Sequence, residues 1–211
     1  MKRVLLTILL GLAVALGAWY GLNPLLEKTA PQKPIPSLAS ATVLNPTKPM
    51  TEFSLIATDK KNFTQYSLLG HWTLMFFGYT QCPDICPRTL ATITQVWQSL
   101  PKYMQDKNML NFVFVSLDPK SDTVPHLKTF LERFNPDFMG LTGEETTVKK
   151  LSKFCSIYSW QDPNASAEGP KVIDHSATLL LINPKGHMQA LFSPPHEVEA
   201  IAKDLQTLLT Q

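Results

Sequence analysis

The chain lacks any concentrated basic stripe: charged residues are 17% of its 211 positions, and the net charge is only +2. A nucleic-acid binder normally gathers positive charge on one face or along one helix, so that class is set aside. Internal repeats are also missing, and glycine is sparse at nine residues. One globular domain, built from a chain that is 44% hydrophobic, is the simplest organisation. Cysteine is rarer still. Three thiols cannot all pair with one another, so at least one is free or serves another purpose. No cysteine follows the N-terminal apolar run, which argues against a lipid anchor there.

That apolar run is the first positive feature. Met1-Lys2-Arg3 precedes VLLTILLGLAVALGAWYGL, Val4 to Leu22, and the next charge is Glu27. Such a run is long enough to cross a bilayer, which takes roughly 17–25 residues. Lys2 and Arg3 stay cytoplasmic under the positive-inside rule, so everything downstream faces the other side. The competing reading is a cleaved signal peptide, whose apolar region is usually about 7–15 residues. Either way the body of the protein is exported. From Asn23 to Met50 the chain carries Pro24, Pro31, Pro34, Pro36, Pro46 and Pro49 among Ser, Thr, Ala and Lys. This composition reads as an extended tether. The expected organisation is therefore anchor 1–22, tether 23–50 and folded domain 51–211.

Within the domain, buried strands are expected at 71–80 (HWTLMFFGYT) and 110–119 (LNFVFVSLDP). Helical spacing puts Leu90, Ile93, Val96, Trp97 and Leu100 on one face after Pro87. Further helices are expected at 124–134, 144–155 and 195–209, and 175–192 reads as two strands joined by Asn-Pro-Lys-Gly. Alternating strands and helices followed by a hairpin and a helix give an α/β fold, a mixed sheet with helices on both faces.

The chemistry centres on FFGYTQCPDICPRTL, where Cys82 and Cys86 straddle the junction between a strand and a helix. A helix beginning near Asp84 would put Cys82 in the entry loop and Cys86 in the first turn, with their sulfurs converging. Pro83 and Pro87 are tolerable there, because first-turn N–H groups need no intrahelical partner. The helix N-terminus favours thiolate. Two sulfurs alone leave a metal site open, so a third ligand would separate a metal site from a disulfide-exchange site. His175 opens an apolar strand just after Asp174, where thioredoxin-like chains bring a loop against the dithiol. Local sequence alone leaves it either a ligand or a hydrogen-bonded strand-end residue. His71, His126, His187 and His196 read as surface residues. Cys155 reads as a small buried hydrophobe, and Asp84 as a helix cap.

FFGYTQCPDICP, the downstream VSLDPKSDTVP, and DHS before a strand ending in NPKG together resemble the Sco/SenC copper proteins. The similarity runs from about Phe53 to the C-terminus, and the anchor and tether also fit. The chain departs from the family's usual pattern at PKSDTVP, where an arginine is common, and at Leu180, where an aromatic is frequent. The resemblance implies a thioredoxin-like fold on a single-pass anchor in the cytoplasmic (inner) membrane, with the domain on the periplasmic side. It implies copper, as Cu(I) or Cu(II), on Cys82, Cys86 and His175, with Asp174 a candidate to orient the His175 ring. It also implies delivery to the CuA centre of cytochrome c oxidase subunit II, alongside other copper chaperones or thiol reductants. Two thiolates and an imidazole suit copper, whereas a structural zinc site would want a fourth ligand. The alternative is a membrane-anchored thiol–disulfide oxidoreductase using the same dithiol on a partner's cysteines. A peroxide-reactive or redox-sensing protein is a third, weaker reading, for which no Thr and Arg pair stands at the right spacing and Arg88 is the only close candidate.

Overall fold

The computed structural model describes residues 37–161 and 173–210, together with residues 12 and 17–19. All of the proposed anchor but residues 12 and 17–19, and the first half of the tether, residues 23–36, lie outside the described residues. Among the described residues, no helix is long and apolar enough to cross a membrane.

An eight-stranded mixed sheet organises residues 37–210. Its strands are β1 (Ala41–Pro49), β2 (Ser54–Ala57), β3 (Asn62–Thr64), β4 (Trp72–Gly78), β5 (Leu110–Ser116), β6 (Met139–Thr142), β9 (Leu179–Ile182) and β10 (His187–Phe192), in the order β1-β10-β9-β4-β5-β6-β2-β3. β7 (Ser159–Gln161) and β8 (Ile173–His175) form a separate antiparallel pair. β4, β5 and β6 run parallel, linked by the crossover helices α1 (Ile85–Ser99) and α2 (Val124–Glu132), while α3 (Glu145–Phe154) follows β6 and α4 (Val198–Leu209) closes the chain.

β4 and β5 read as near-continuous apolar runs because helices cover both faces of the central sheet. The period-2 alternation still sorts them. Leu74 and Phe76 join the layer with Leu90, Ile93 and Val96 of α1 and Leu205 of α4. Met75 and Phe77 join the opposite layer with Val148 and Leu151 of α3. Each large side chain so buried contributes about 1.5–3 kcal/mol of transfer free energy. Cys155 lies in the second layer, 3% exposed, as expected of a core thiol.

The folded domain starts earlier than composition suggests. Residues 41–49, read as tether, form the edge strand β1, paired with β10 from Ala41↔Phe192 to Pro49↔His187 with an irregularity between Val43 and Lys48. Pro46 falls within that irregular stretch, where a missing N–H costs no ladder bond. The entry to β1 is fixed by Asp204 of α4, only 1% exposed. Its carboxylate accepts the N–H groups of Ala39 (2.8 Å), Ser40 (2.7 Å) and Ala41 (2.8 Å), and the Ser40 hydroxyl (3.0 Å). Burial pushes the Asp204 carboxyl up, but these donors outweigh it and leave its pKa below the ordinary aspartate value.

Candidate metal centre

The site lies where β4 ends and α1 begins, the kind of strand-to-helix junction at which open α/β sheets place their ligands. β4 finishes at Gly78, and Tyr79–Asp84 turns the chain into α1. Gly78 is needed for close approach: a Cβ there would sit 2.7 Å from Cys86 Sγ and 3.0 Å from the Phe114 ring. The loop is stapled from the far side by Asp122, which is fully buried. Asp122 accepts the Thr80 N–H (3.1 Å), the Thr80 hydroxyl (2.5 Å) and the Ser116 hydroxyl (2.6 Å). The Thr80 hydroxyl spends its proton on Asp122 and so accepts from His126 Nε2, 3.0 Å away. Asp122 gives VSLDPKSDT a physical role, which sequence reasoning noted only as a pattern. Its signal was an acidic residue beside an Asp-Pro turn at the C-terminal end of a central strand.

Asp84 occupies the N-cap position of α1, but its side chain does not cap. It pairs with Arg88 at 3.3 Å instead, an exposed i,i+4 contact. The capping role passes to sulfur: Cys82 Sγ accepts the Cys86 N–H at 3.4 Å. A thiolate there satisfies one of the orphan donors of the first turn and meets the positive end of the helix dipole.

The Cys86 thiol is buried beneath this turn, and its Sγ lies 3.1 Å from His175 Nε2. His175 is 8% exposed and ends β8, with Ser176, Ala177 and Thr178 separating it from β9, so it precedes the apolar strand rather than opening it. Its ring stands edge-on to Tyr79 and tilted against Phe76, with centroids 6.0 Å away in each case. Its Nδ1 lies 3.1 Å from the Ser176 carbonyl. A carbonyl only accepts, so Nδ1 carries the hydrogen, and in the neutral ring Nε2 turns its lone pair to the sulfurs. The ring-orienting role suggested for Asp174 therefore belongs to the Ser176 backbone. The Asp174 side chain is exposed, because β8 alternates its faces and turns residue 174 away from residue 175.

The candidate donor atoms of Cys82, Cys86 and His175 all lie within 4.8 Å of one another. Among the described residues, these are the only His, Cys, Asp or Glu side chains to gather so. His126 bonds Thr80, His196 donates to the Ala177 carbonyl at 2.7 Å, and His187 meets Thr47 at 3.1 Å. None of them approaches the cluster.

Both thiols were expected to be acidified by the helix; the structure divides them. The hydrogen bond from Cys86 holds the half-exposed Cys82 down at about 4, against the upward push of burial and with help from the Cys86 and Asp84 N–H groups. Cys86 is driven strongly upward, because it keeps the proton it shares with Cys82 and because it is buried. The resting pair is a Cys82 thiolate beside a Cys86 thiol. Alkylation of the reduced protein with iodoacetamide should therefore modify Cys82 at a nearly constant rate between pH 6 and 8. An ordinary thiol loses reactivity about tenfold per unit below its pKa of about 8.5. That steep dependence at Cys82 would refute the thiolate assignment, and labelling of Cys86 or Cys155 in the native state would refute their burial.

A family model, SCO1/SenC, matches residues 42–210. The chain belongs to the SCO1/SenC family. The match contains all three clustered residues and begins at β1, in keeping with the earlier domain start. The SCO2-like protein of Rickettsia felis is 34% identical over 201 residues, covering 93% of this chain and 94% of its own length. The SCO1 homolog 1 of Arabidopsis thaliana mitochondria is 30% identical over 150 residues, covering 71% of this chain but only 43% of that longer protein. Among solved structures, Bradyrhizobium japonicum ScoI with copper bound superimposes with a TM-score of 0.66 and 31% identity, covering 75% of this chain and 98% of that one. The SCO1/SenC core is thus the mixed α/β sheet with flanking helices described above.

Proposed function

We propose that this SCO1/SenC protein is a copper metallochaperone that binds one copper ion through Cys82, Cys86 and His175 and passes it to a cytochrome c oxidase during assembly of its CuA centre in subunit II. The observation that carries this reading is the convergence of two sulfurs and an imidazole lone pair within 4.8 Å, from two separate segments of the fold. The donor set fits the ion. Two thiolates favour Cu(I), and the added nitrogen lets the site hold Cu(II). With Cu(I) the site carries a net −1, which the N-terminus of α1 offsets in part. Copper passes by ligand exchange, one donor of the recipient replacing one of the chaperone's at a time, so no covalent bond of a substrate is made or broken and the protein is not an enzyme. A groove of about 510 Å³ beside the site, lined by Ile85, Arg88, Thr89, Ala177, Pro194 and His196 among others, gives the recipient room to dock.

Anaerobic Cu(I) titration tests the reading. The reduced protein should bind one equivalent and release about one proton, since only Cys86 still holds a proton that the metal must displace. A Cys82→Ser, Cys86→Ser double variant should bind none. Stoichiometric binding by that variant would remove the assignment.

A second reading, thiol–disulfide exchange with a partner's cysteines, is favoured by the asymmetry of the pair. Cys82 is the half-exposed thiolate that attacks a partner disulfide, and Cys86 is the buried thiol that resolves the mixed disulfide. As the Cys82–Cys86 bond forms, the pair gives the partner two electrons and the Cys86 proton, and the partner's second sulfur leaves as a thiolate that takes its proton from water. The roles coexist, because the oxidised pair cannot hold copper through its sulfurs.

We also assign Val4 to Leu22 as the single-pass anchor in the cytoplasmic membrane, with the copper domain on the periplasmic side. Alkaline phosphatase fused after Gln211 should be active. An inactive fusion beside a working cytoplasmic reporter would reverse the topology.

A further inference from the structure

Cys82 sits on a turn that packing does little to hold. Gln81, Pro83, Asp84 and Ile85 around it are all exposed, and the Asp84 carboxylate faces Arg88 of its own helix. The turn is closed by its backbone, the Cys82 N–H donating to the Tyr79 carbonyl at 3.3 Å, and Thr80 occupies its second position. Thr80 is where this turn is tied to the sheet. Its N–H (3.1 Å) and its hydroxyl (2.5 Å) both donate to Asp122. The hydroxyl also accepts from His126 Nε2 at 3.0 Å, so it serves as donor on one side and acceptor on the other. The far end of the tie is firm. Asp122 is fully buried, and its own N–H donates to the Asp118 carbonyl at 2.9 Å. The Ser116 hydroxyl donates to Asp122 at 2.6 Å while accepting the Asp118 N–H at 3.1 Å. The Leu117 N–H, 2.7 Å from the Gly78 carbonyl, locks this loop onto the end of β4.

We propose that Thr80 is the positioning residue of the candidate metal centre: bound to Asp122, it fixes the turn so that Cys82 stays within reach of Cys86 and His175, and it thereby sustains the site's affinity for Cu(II) more than for Cu(I). The physical cause is coordination number. Cu(I) accepts two donors and can follow a sulfur that moves, because it needs only one other bond to be in place. Cu(II) prefers more donors in set directions. A turn that wanders must be re-ordered before Cys82, Cys86 and His175 can close on the ion together, which is the cost that a fixed supporting shell removes. The inference rests on the copper-binding reading above.

Thr80→Val keeps the shape of the side chain and removes its hydroxyl, whereas Thr80→Ser keeps the hydroxyl. In the full chain, competition titrations with chelators of each oxidation state should show the Cu(II) affinity of Thr80→Val falling about tenfold, the lower end of what outer-shell partners contribute. The Cu(I) affinity should stay within about threefold, since two sulfurs suffice for it. The sulfur-to-copper charge-transfer absorption of the Cu(II) form should broaden, because Cys82 then samples several positions. Thr80→Ser should restore both the ratio and the band. A merely structural threonine would lower the Tm of Thr80→Val and leave the ratio of the two affinities unchanged. A ratio within about twofold of the unsubstituted protein in folded Thr80→Val, or a Thr80→Ser variant that fails to restore it, would overturn the role of Thr80 while leaving the copper site intact. Where Thr80→Val does not fold, amide exchange in the unsubstituted, copper-free protein decides: the Thr80 and Cys82 amides should be protected like those of β4, and exchange at the rate of an open loop would overturn the proposal. Absence of copper binding in the unsubstituted protein would instead overturn the copper reading and this inference together.

Discussion

Replacing His175 by alanine is expected to weaken Cu(II) binding far more than Cu(I) binding. The substitution leaves two sulfurs within reach of one ion, and linear two-thiolate coordination is an acceptable geometry for Cu(I). Cu(II) prefers higher coordination with nitrogen donors and loses its only nitrogen. A net loss of about 5 kcal/mol for the imidazole bond corresponds to an affinity drop on the order of 10³–10⁴ for Cu(II). For Cu(I) the drop should be roughly tenfold to a hundredfold, about 1.4–2.8 kcal/mol. The disulfide midpoint should change by less than about 30 mV, since thiolate stabilisation and loop geometry set it. Competition titrations with chelators of each oxidation state read the split directly, and cells carrying the variant should lose oxidase activity at low copper and recover part of it when copper is added. Equal retention of both affinities, with normal oxidase, would make His175 a structural residue and give the dithiol-exchange reading precedence.

The largest effect on stability is expected at Asp204, 29 residues further along the chain and in the opposite half of the molecule's logic. Asp204→Ala strips the acceptor from three consecutive N–H groups at residues 39–41. Three charge-assisted bonds to a carboxylate that is 1% exposed are lost together, at a cost of about 3 kcal/mol after water rescues some of the donors. For a domain of this size that lowers Tm by about 6–12 °C. Amide exchange should quicken first in β1 and its partner β10, because β1 has no second neighbour in the sheet. The pH dependence has a definite sign. The Asp204 carboxyl is held below its unfolded value, so its contribution is present above the ordinary aspartate range and is lost as pH falls through the folded value. A domain begun at Thr51 lacks β1 altogether and should be less stable than one begun at Ser37. Equal Tm values for those two fragments would mean that β1 adds nothing.

Much of the candidate metal centre was legible in the chain because the relevant information is local. A thiol pair four residues apart at the mouth of an apolar strand, with helical spacing beyond it, fixes a strand-to-helix turn with both sulfurs near the helix N-terminus. The apolar runs of β4 and β5 and the amphipathic stretches of α1 to α4 likewise give the fold class, since burial must follow the period of each element. β1 was missed because an edge strand is half solvated and tolerates proline, so Pro46 and Pro49 made it look like the tether that precedes it.

What the sequence by itself determined, then, is the composition of the site: two cysteines and a histidine of the right chemical softness, on an α/β scaffold. Only the tertiary structure decided how those groups are charged and oriented. The split between a Cys82 thiolate and a Cys86 thiol comes from unequal burial and a shared proton. The His175 tautomer comes from the Ser176 carbonyl rather than from Asp174. The Asp122 staple joins residues 42 apart in the chain, and the Cys86–His175 contact joins residues 89 apart. Hydrogen bonds over such separations leave no periodic trace in a sequence, because they depend on where the sheet brings its loops together and not on the spacing of residues along any one of them.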